Sequence, residues 1–203
     1  MRIDIHLHTR FSKCSDFSVE ELAREVERRG MEWVTVTDHG TAEGCEELGR
    51  RLAGVGVIYG VEVTTREGDF LVFCPDGEYI RGLTLYARSV SELRDGHAGA
   101  AIVWAHPRGT SPLGWTAPSA DSPQVRYVME HVDAVELYNA RMLTGQMHMG
   151  VDAAEYARGV ERLAMEYNKP LTGGSDAHAR EQFMTCWTEF ASPVKTAEDF
   201  TAA

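Results

Sequence analysis

The sequence predicts an α/β fold of βα units around a parallel sheet, and three observations predict it. Strand-like and helix-like segments alternate from the first residues onward. The helical segments carry their own start and stop signals. The polar clusters fall at the carboxyl ends of the predicted strands, where parallel α/β sheets and barrels place their chemistry.

"RIDIHLH" reads as the first strand, with Asp4, His6 and His8 on one face and Ile3, Ile5 and Leu7 on the other. A row of one carboxylate and two imidazoles is costly to bury unless something satisfies it, and a metal cation is the usual way. "SVEELAREVERRG" predicts a helix: Ser18 as N-cap, Glu21 closing a capping box, Gly30 as stop, and Val19, Leu22, Ala23 and Val26 at helical spacing. "WVTVTDH" is the second strand and "AEGCEELGRRLA" the second helix. "VIYGVEV" and "FLVFC" follow as strands, then "SVSELRDG" as a short helix and "AAIVWAHP" as a buried strand. "SPQVRYVMEHV" reads as a helix, "AVELYN" as a strand, "AAEYARGVERLAMEYN" as a long helix, and "PLTGGSDAH" as a last strand entering a loop. The one long irregular stretch is 107–123, and loops of that length inside a compact domain are often lids or binding loops.

Composition narrows the class. The chain has 203 residues, enough for one sizeable core, so a single domain over 1–203 is expected. It is 43% hydrophobic and 25% charged, with no apolar run long enough to span a bilayer. No secretory leader is evident, which makes the cytoplasm the expected location. Cys14, Cys45, Cys74 and Cys186 are scattered without metal-knuckle or disulfide spacing, so reduced thiols are expected. A net charge of −11 disfavours nucleic acid as a partner without excluding it, because bound cations would change the local sign. Oligomeric state is not legible.

The clusters are His6 and His8, then Asp38 and His39 ("TDH"), Glu62 ("GVE"), His106 ("AHP"), Glu136 and Asn139 ("ELYN"), and Asp176 and His178 ("GSDAH"). Each alone has an ordinary reading as an exposed pair, a helix N-cap or one satisfied histidine. Their recurrence at strand ends with apolar residues between them points to a multinuclear metal site at one end of one sheet.

In this order, "DIHLHT", "TDH", "GVE", "AHP" and "GGSDAH" resemble the signature of the PHP (polymerase and histidinol phosphatase) family, over residues 4 to 178. The resemblance implies a distorted seven-stranded (β/α) barrel with a di- or trinuclear centre of two to three Zn, Mn or Fe ions. It implies that His6, His8, Glu62 and Asp176 hold one metal. Glu62 would bridge to a second, which His106 also binds, and Asp16, His39 and His178 would hold a third. The donor types suit this, since carboxylates bridge cations and imidazole suits Zn, Mn and Fe. In two respects the chain departs from the family. Asp69, in "REGDFLVF", stands where relatives often carry a further metal-binding His. Little room remains for the inserted subdomain of the branch that acts on nucleoside phosphates.

The expected activity is hydrolysis of a small phosphomonoester or nucleotide by a metal-bound hydroxide. A phosphorylated substrate needs a cation for its outward oxygens. Arg108 is the first candidate, as a bidentate donor two residues past His106, ahead of Arg141 and Lys13. Asn139 is expected to orient a ligand or the strand end, and Glu136 to be a buried hydrogen-bonding partner. Trp115 reads equally as a stacking group and as a hydrophobic plug. Met147, His148 and Met149 cannot all face one ion from consecutive positions. The competing readings are amidohydrolase-like cleavage of a C–N bond and a metal-binding module without catalysis.

Overall fold

The computed structural model describes residues 1–109, 116–143 and 152–203. Trp115 and the Met147–His148–Met149 run lie outside the described residues, as does the middle of the 107–123 loop.

The chain runs β1 (Arg2–Ile3), α1 (Val19–Arg29), β2 (Trp33–Val36), α2 (Glu43–Arg51), β3 (Gly56–Thr65) and β4 (Gly68–Phe73). It continues through α3 (Gly77–Gly82), α4 (Val90–Gly96), β5 (Ala101–Trp104), α5 (Pro123–His131), β6 (Ala134–Asn139) and α6 (Ala140–Leu143). It ends with α7 (Ala153–Glu166), β7 (Leu171–Gly174), a 3₁₀ turn at Arg180–Gln182, β8 (Thr188–Glu189) and α8 (Ala197–Ala202). Helix α1 forms as its caps dictate. The Ser18 hydroxyl accepts from the Glu21 amide, the Glu21 carboxylate accepts from the Ser18 amide, and Gly30 closes the helix in the left-handed conformation at φ 62°.

Strands β2 to β7 form a curled, half-barrel sheet in the order β2-β3-β4-β5-β6-β7. Pairs β2/β3, β5/β6 and β6/β7 are parallel, as expected of strands joined through helices. The sheet is nevertheless mixed, because β4 runs antiparallel to both β3 and β5. Only Arg66 and Glu67 separate β3 from β4, too few residues for the crossover that a parallel pair requires.

The expected seventh strand is not a regular one. Arg2–Ile3 pairs antiparallel with β8 instead. Residues 6–8 then lie between the ends of β2 and β7. Leu7 accepts from the Thr37 amide at 2.9 Å, His8 donates to Ala177 at 2.8 Å, and His6 accepts from Asp176 at 2.7 Å. Gly174 permits this close approach, since a Cβ there would stand 2.4 Å from the His6 Cβ.

Strand alternation sorts the side chains into two layers. Val61, Val63, Phe70, Val72, Ile102, Trp104, Val135 and Leu137 point outward and pack with the buried faces of α4, α5 and α7. Ile58, Leu71, Phe73, Val103 and Ala134 point into the curl, where Ile3, Ile5 and Phe200 join them. The same period puts Glu62 on the face of Ile58, Asp69 on that of Leu71, and Glu136 on that of Ala134. The inner face is therefore apolar at one end and ionisable at the other.

Candidate metal centre

The ionisable end of the curl brings together side chains from six segments. His6, His8, Glu62, His106, Glu136 and Asp176 are all buried. Their donor atoms form three overlapping groups, each within 4.8 Å: His6 with His8 and Asp176, His6 with Glu62 and His106, and His8 with His39 and His178. Glu62 lies at the middle. Its Oε1 is 3.1 Å from His106 Nε2, and its Oε2 is 3.2 Å from His8 Nε2, 3.2 Å from His39 Nδ1 and 3.5 Å from His6 Nε2. Asp176 Oδ1 is 3.2 Å from His8 Nε2 and 3.6 Å from His6 Nε2.

The outer ring nitrogens are already committed. His6 Nδ1 is 2.9 Å from Glu136 Oε1, and His8 Nδ1 is 3.2 Å from the Ser12 hydroxyl. His178 Nδ1 is 2.8 Å from the Asp176 carbonyl oxygen. These contacts set ring orientation, as outer partners of metal-binding histidines do. The inward nitrogens are another matter: among the described residues, His6 Nε2, His8 Nε2 and His39 Nδ1 have no hydrogen bond. Buried polar atoms left so are costly and rare. Buried carboxylates and imidazoles converging with unsatisfied lone-pair atoms are the donor set a divalent transition metal takes, so the residues fit the implied cations.

The charges tell the same story. Burial alone would depress the His6 imidazole, but the Glu136, Asp176 and Glu62 carboxylates outweigh it and raise it well above the usual value. His106, likewise buried, is lifted to about 9 by its hydrogen bond to Glu62. Glu62 and Asp176 are lowered, since the neighbouring imidazoles overcome the burial penalty. Without a cation, protons on the imidazoles balance the carboxylates. His39 and His178 differ. Burial depresses both, His178 to about 4 with the His8 charge adding to the effect, so their rings are neutral near pH 7.

Local structure holds these groups in place. Asp38 belongs to none of the three donor groups: its carboxylate accepts from the Thr9 amide at 2.6 Å, the Thr9 hydroxyl at 2.6 Å and the Ser12 hydroxyl at 2.7 Å, clamping the loop after His8. Asp4 plays a similar part, accepting from the Ser175 and Met184 amides at 2.9 and 3.0 Å. Glu136 does more than the sequence suggests. Besides His6, it accepts from the His106 amide at 2.8 Å and from Asn139 at 3.3 Å, while Asn139 also reaches Asp176 at 3.2 Å. His106 and Asp176 both have positive φ, 28° and 51°. Such backbone strain in non-glycine residues clusters at functional sites.

Not every sequence-predicted residue joins the cluster. Asp16 is exposed and belongs to none of the three groups, although its amide donates to the His178 carbonyl at 3.1 Å. Arg108 is exposed and lines a small cavity of about 60 Å³ with Trp104, Pro118 and Gln124, none of them a predicted ligand. Arg141 stands closer to the centre, with its Nη1 3.1 Å from the His178 ring nitrogens and 3.8 Å from Asp176 Oδ2. Asp69 faces His106 at 4.0 Å and accepts from the Thr64 hydroxyl at 2.6 Å. Lys13 is exposed. The four cysteines are free thiols.

Residues 155–203 match the family PHP_C, described as PHP-associated. No curated protein matches the chain. Among solved structures, PsfC from Pseudomonas syringae is similar with a TM-score of 0.69 and 18% identity, over 99% of this chain and 87% of that one. A candidate metal-dependent phosphoesterase from Bifidobacterium adolescentis is similar with a TM-score of 0.67 and 16% identity, over 92% of each chain. An amidohydrolase from Chromobacterium violaceum, solved with sulfate and no metal, gives 0.62 and 14%, over 100% of this chain and 96% of that one. These likenesses define the fold class: the curled α/β half-barrel is shared nearly end to end. The PHP-associated match, over residues 155–203, agrees with the resemblance of the motifs to the PHP family.

Proposed function

We propose that the chain is a metal-dependent phosphoesterase acting on a small phosphorylated substrate. The observation that carries this reading is the set of three overlapping donor groups with unsatisfied inward nitrogens. His6, His8, Glu62 and Asp176 would hold one cation, Glu62 and His106 a second, and His39 and His178 a third, with Asp16 as the sequence-predicted partner there. When bound, such cations act as Lewis acids that acidify water and neutralise phosphoryl oxygens.

The remaining work belongs to the chain's own groups. Glu136 and Ser12 keep the Nδ1 sides of His6 and His8 occupied, which leaves their Nε2 lone pairs inward. Glu136 and Asn139 together tie His106 and Asp176 to one strand end. Arg141, beside His178 and Asp176, supplies a guanidinium for phosphate oxygens turned away from the centre. Arg108 is the alternative cation. A tetrahedral anion also accompanies the similar fold of the Chromobacterium protein.

The test is a substrate panel run on Mn- and Zn-loaded protein, with phosphomonoesters, phosphodiesters, nucleotides and amides side by side. Turnover of phosphomonoesters, abolished by chelator and restored by metal, is the expected result. Turnover of amides alone would assign the centre to C–N bond cleavage. Metal binding without any turnover would leave a non-catalytic module.

A further inference from the structure

We propose that the thiol of Cys14 is a metal ligand at the third position, beside His39 and His178, where the family resemblance implies the carboxylate of Asp16. This rests on the metal-centre reading above.

The loop between His8 and α1 is bound closely to the segment that carries His178. The Ser15 hydroxyl lies 3.0 Å from the His8 carbonyl and 3.1 Å from that of His178, and the Asp16 amide donates to the same His178 carbonyl. The Asp38 clamp on Thr9 and Ser12 secures the loop's other end. Within this frame the Cys14 side chain turns toward the imidazole, with Sγ 3.1 Å from His178 Nε2. The Asp16 and Cys14 side chains are both exposed and outside the three donor groups, and it is Cys14 that makes the contact to the His178 ring.

A further nitrogen points to a ligand here: among the described residues His39 Nδ1 has no hydrogen bond. His8, whose Nε2 the first position would take, borders it, with its ring centroid 4.4 Å from that of His39 and 4.5 Å from that of His178 and its donor atom within 4.8 Å of theirs. His178 Nδ1 faces the Asp176 carbonyl oxygen, so the ring keeps its proton there and turns the Nε2 lone pair toward Cys14 and the Arg141 guanidinium, whose Nη1 is also 3.1 Å away. The S–H···N contact has the spacing of a site in which a cation replaces the shared proton. Zn–S and Zn–N bonds of about 2.3 and 2.0 Å at a tetrahedral angle separate S from N by about 3.5 Å. The thiol therefore needs to withdraw by only about 0.4 Å. On binding, the Cys14 proton leaves to solvent and the thiolate donates its electron pair to the cation. A thiolate among imidazoles also favours Zn or Co over Mn at this position.

Co(II) substitution tests this, because thiolate ligation adds a near-ultraviolet charge-transfer band that oxygen and nitrogen ligands lack. Full-length wild type, Cys14→Ser and Asp16→Asn are loaded with Co(II), and spectra and bound cobalt are compared. The proposal expects the band in wild type and in Asp16→Asn. In Cys14→Ser the band is lost together with one equivalent of cobalt. Cobalt bound by wild type without the band, a band that survives in Cys14→Ser, or loss of the equivalent in Asp16→Asn instead would each overturn the assignment while leaving the metal centre standing. Failure of wild type to bind cobalt at all would overturn both.

Discussion

Glu62→Gln is the most revealing single change, because one carboxylate reaches all three donor groups. The substitution keeps the side chain's shape and removes its charge. In the wild type, four imidazole nitrogens lie between 3.1 and 3.5 Å from the Glu62 oxygens. His6 and His106 define one group with Glu62, His8 and His39 belong to another, and His6 and His8 together to the third. Removing one member of a buried, hydrogen-bonded charge set costs about 3–5 kcal/mol. At 1.36 kcal/mol per decade, that weakens cation affinity roughly 10²- to 5 × 10³-fold. Isothermal titration with Mn or Zn should show this loss, centred on the position between His6 and His106. Phosphoesterase turnover should fall about a hundredfold or more at fixed metal concentration. A cooperative melt of the variant would establish that it still folds. Full metal stoichiometry and near-wild-type kcat/KM in a folded Glu62→Gln protein would refute the claim that Glu62 joins the positions.

Three other substitutions probe independent parts of the account. Arg141→Ala should leave metal content intact and raise KM for phosphomonoesters roughly ten- to a hundredfold, the scale of one charge-assisted hydrogen bond; the same loss in Arg108→Ala but not in Arg141→Ala would move the role to Arg108. Gly44→Ala should lower stability by about 1–3 kcal/mol in chemical denaturation, because a Cβ there would stand 2.1 Å from Asp38 Oδ2 and spread the clamp on Thr9 and Ser12; unchanged stability would show the clamp is not under that constraint. Glu25 is held down to about 2 by its hydrogen bonds to Arg28 and Arg180. A depressed carboxyl contributes stability above its unfolded value near 4.5 and loses it as pH falls through its folded value, here between about pH 4.5 and 2. Because the guanidiniums are solvent-exposed, the contribution is about 1 kcal/mol, and Glu25→Gln should flatten the acid limb of a stability-against-pH curve by that amount.

Much of this architecture was legible in the sequence because short-range physics decides it. The Ser18–Glu21 capping box and Gly30 bound α1 in the structure as they do in the sequence. Alternation along β3, β4 and β6 accounts for the inward positions that Glu62, Asp69 and Glu136 take in the structure. Strand direction was not legible, since periodicity is blind to it; the two residues between β3 and β4 were the missed signal of a hairpin. The first strand was expected to run through His8, yet only Arg2–Ile3 is regular, because residues 6–8 bond to two different segments on their two sides.

The site followed the same division. His6, His8, His39, Glu62, His106, Asp176 and His178 all reach the donor groups, Glu62 from within β3 and the others from beyond the ends of strands. Loop side chains were harder to place. Asp16 and Cys14 are two residues apart in a loop whose turns no periodicity describes, and the carboxylate was favoured by the family resemblance alone. Arg141 owes its position to the turn from β6 into α6, anchored by the Asn139 side-chain oxygen, which accepts from the Arg141 amide at 3.1 Å. The pairing of Glu136 with both His6 and His106 is a long-range contact, for which its inward place on β6 was the only local hint.

The central claim, that the ionisable end of the curl is a metal centre, is tested most directly by counting metal. Protein purified without chelator, or reconstituted with Mn or Zn after chelation and then desalted, should carry about two to three divalent ions per chain by elemental analysis. Binding should release protons, because the buried imidazoles that now balance Glu62 and Asp176 must give theirs up. No metal as purified, and none taken up on incubation with Mn or Zn, would contradict the account.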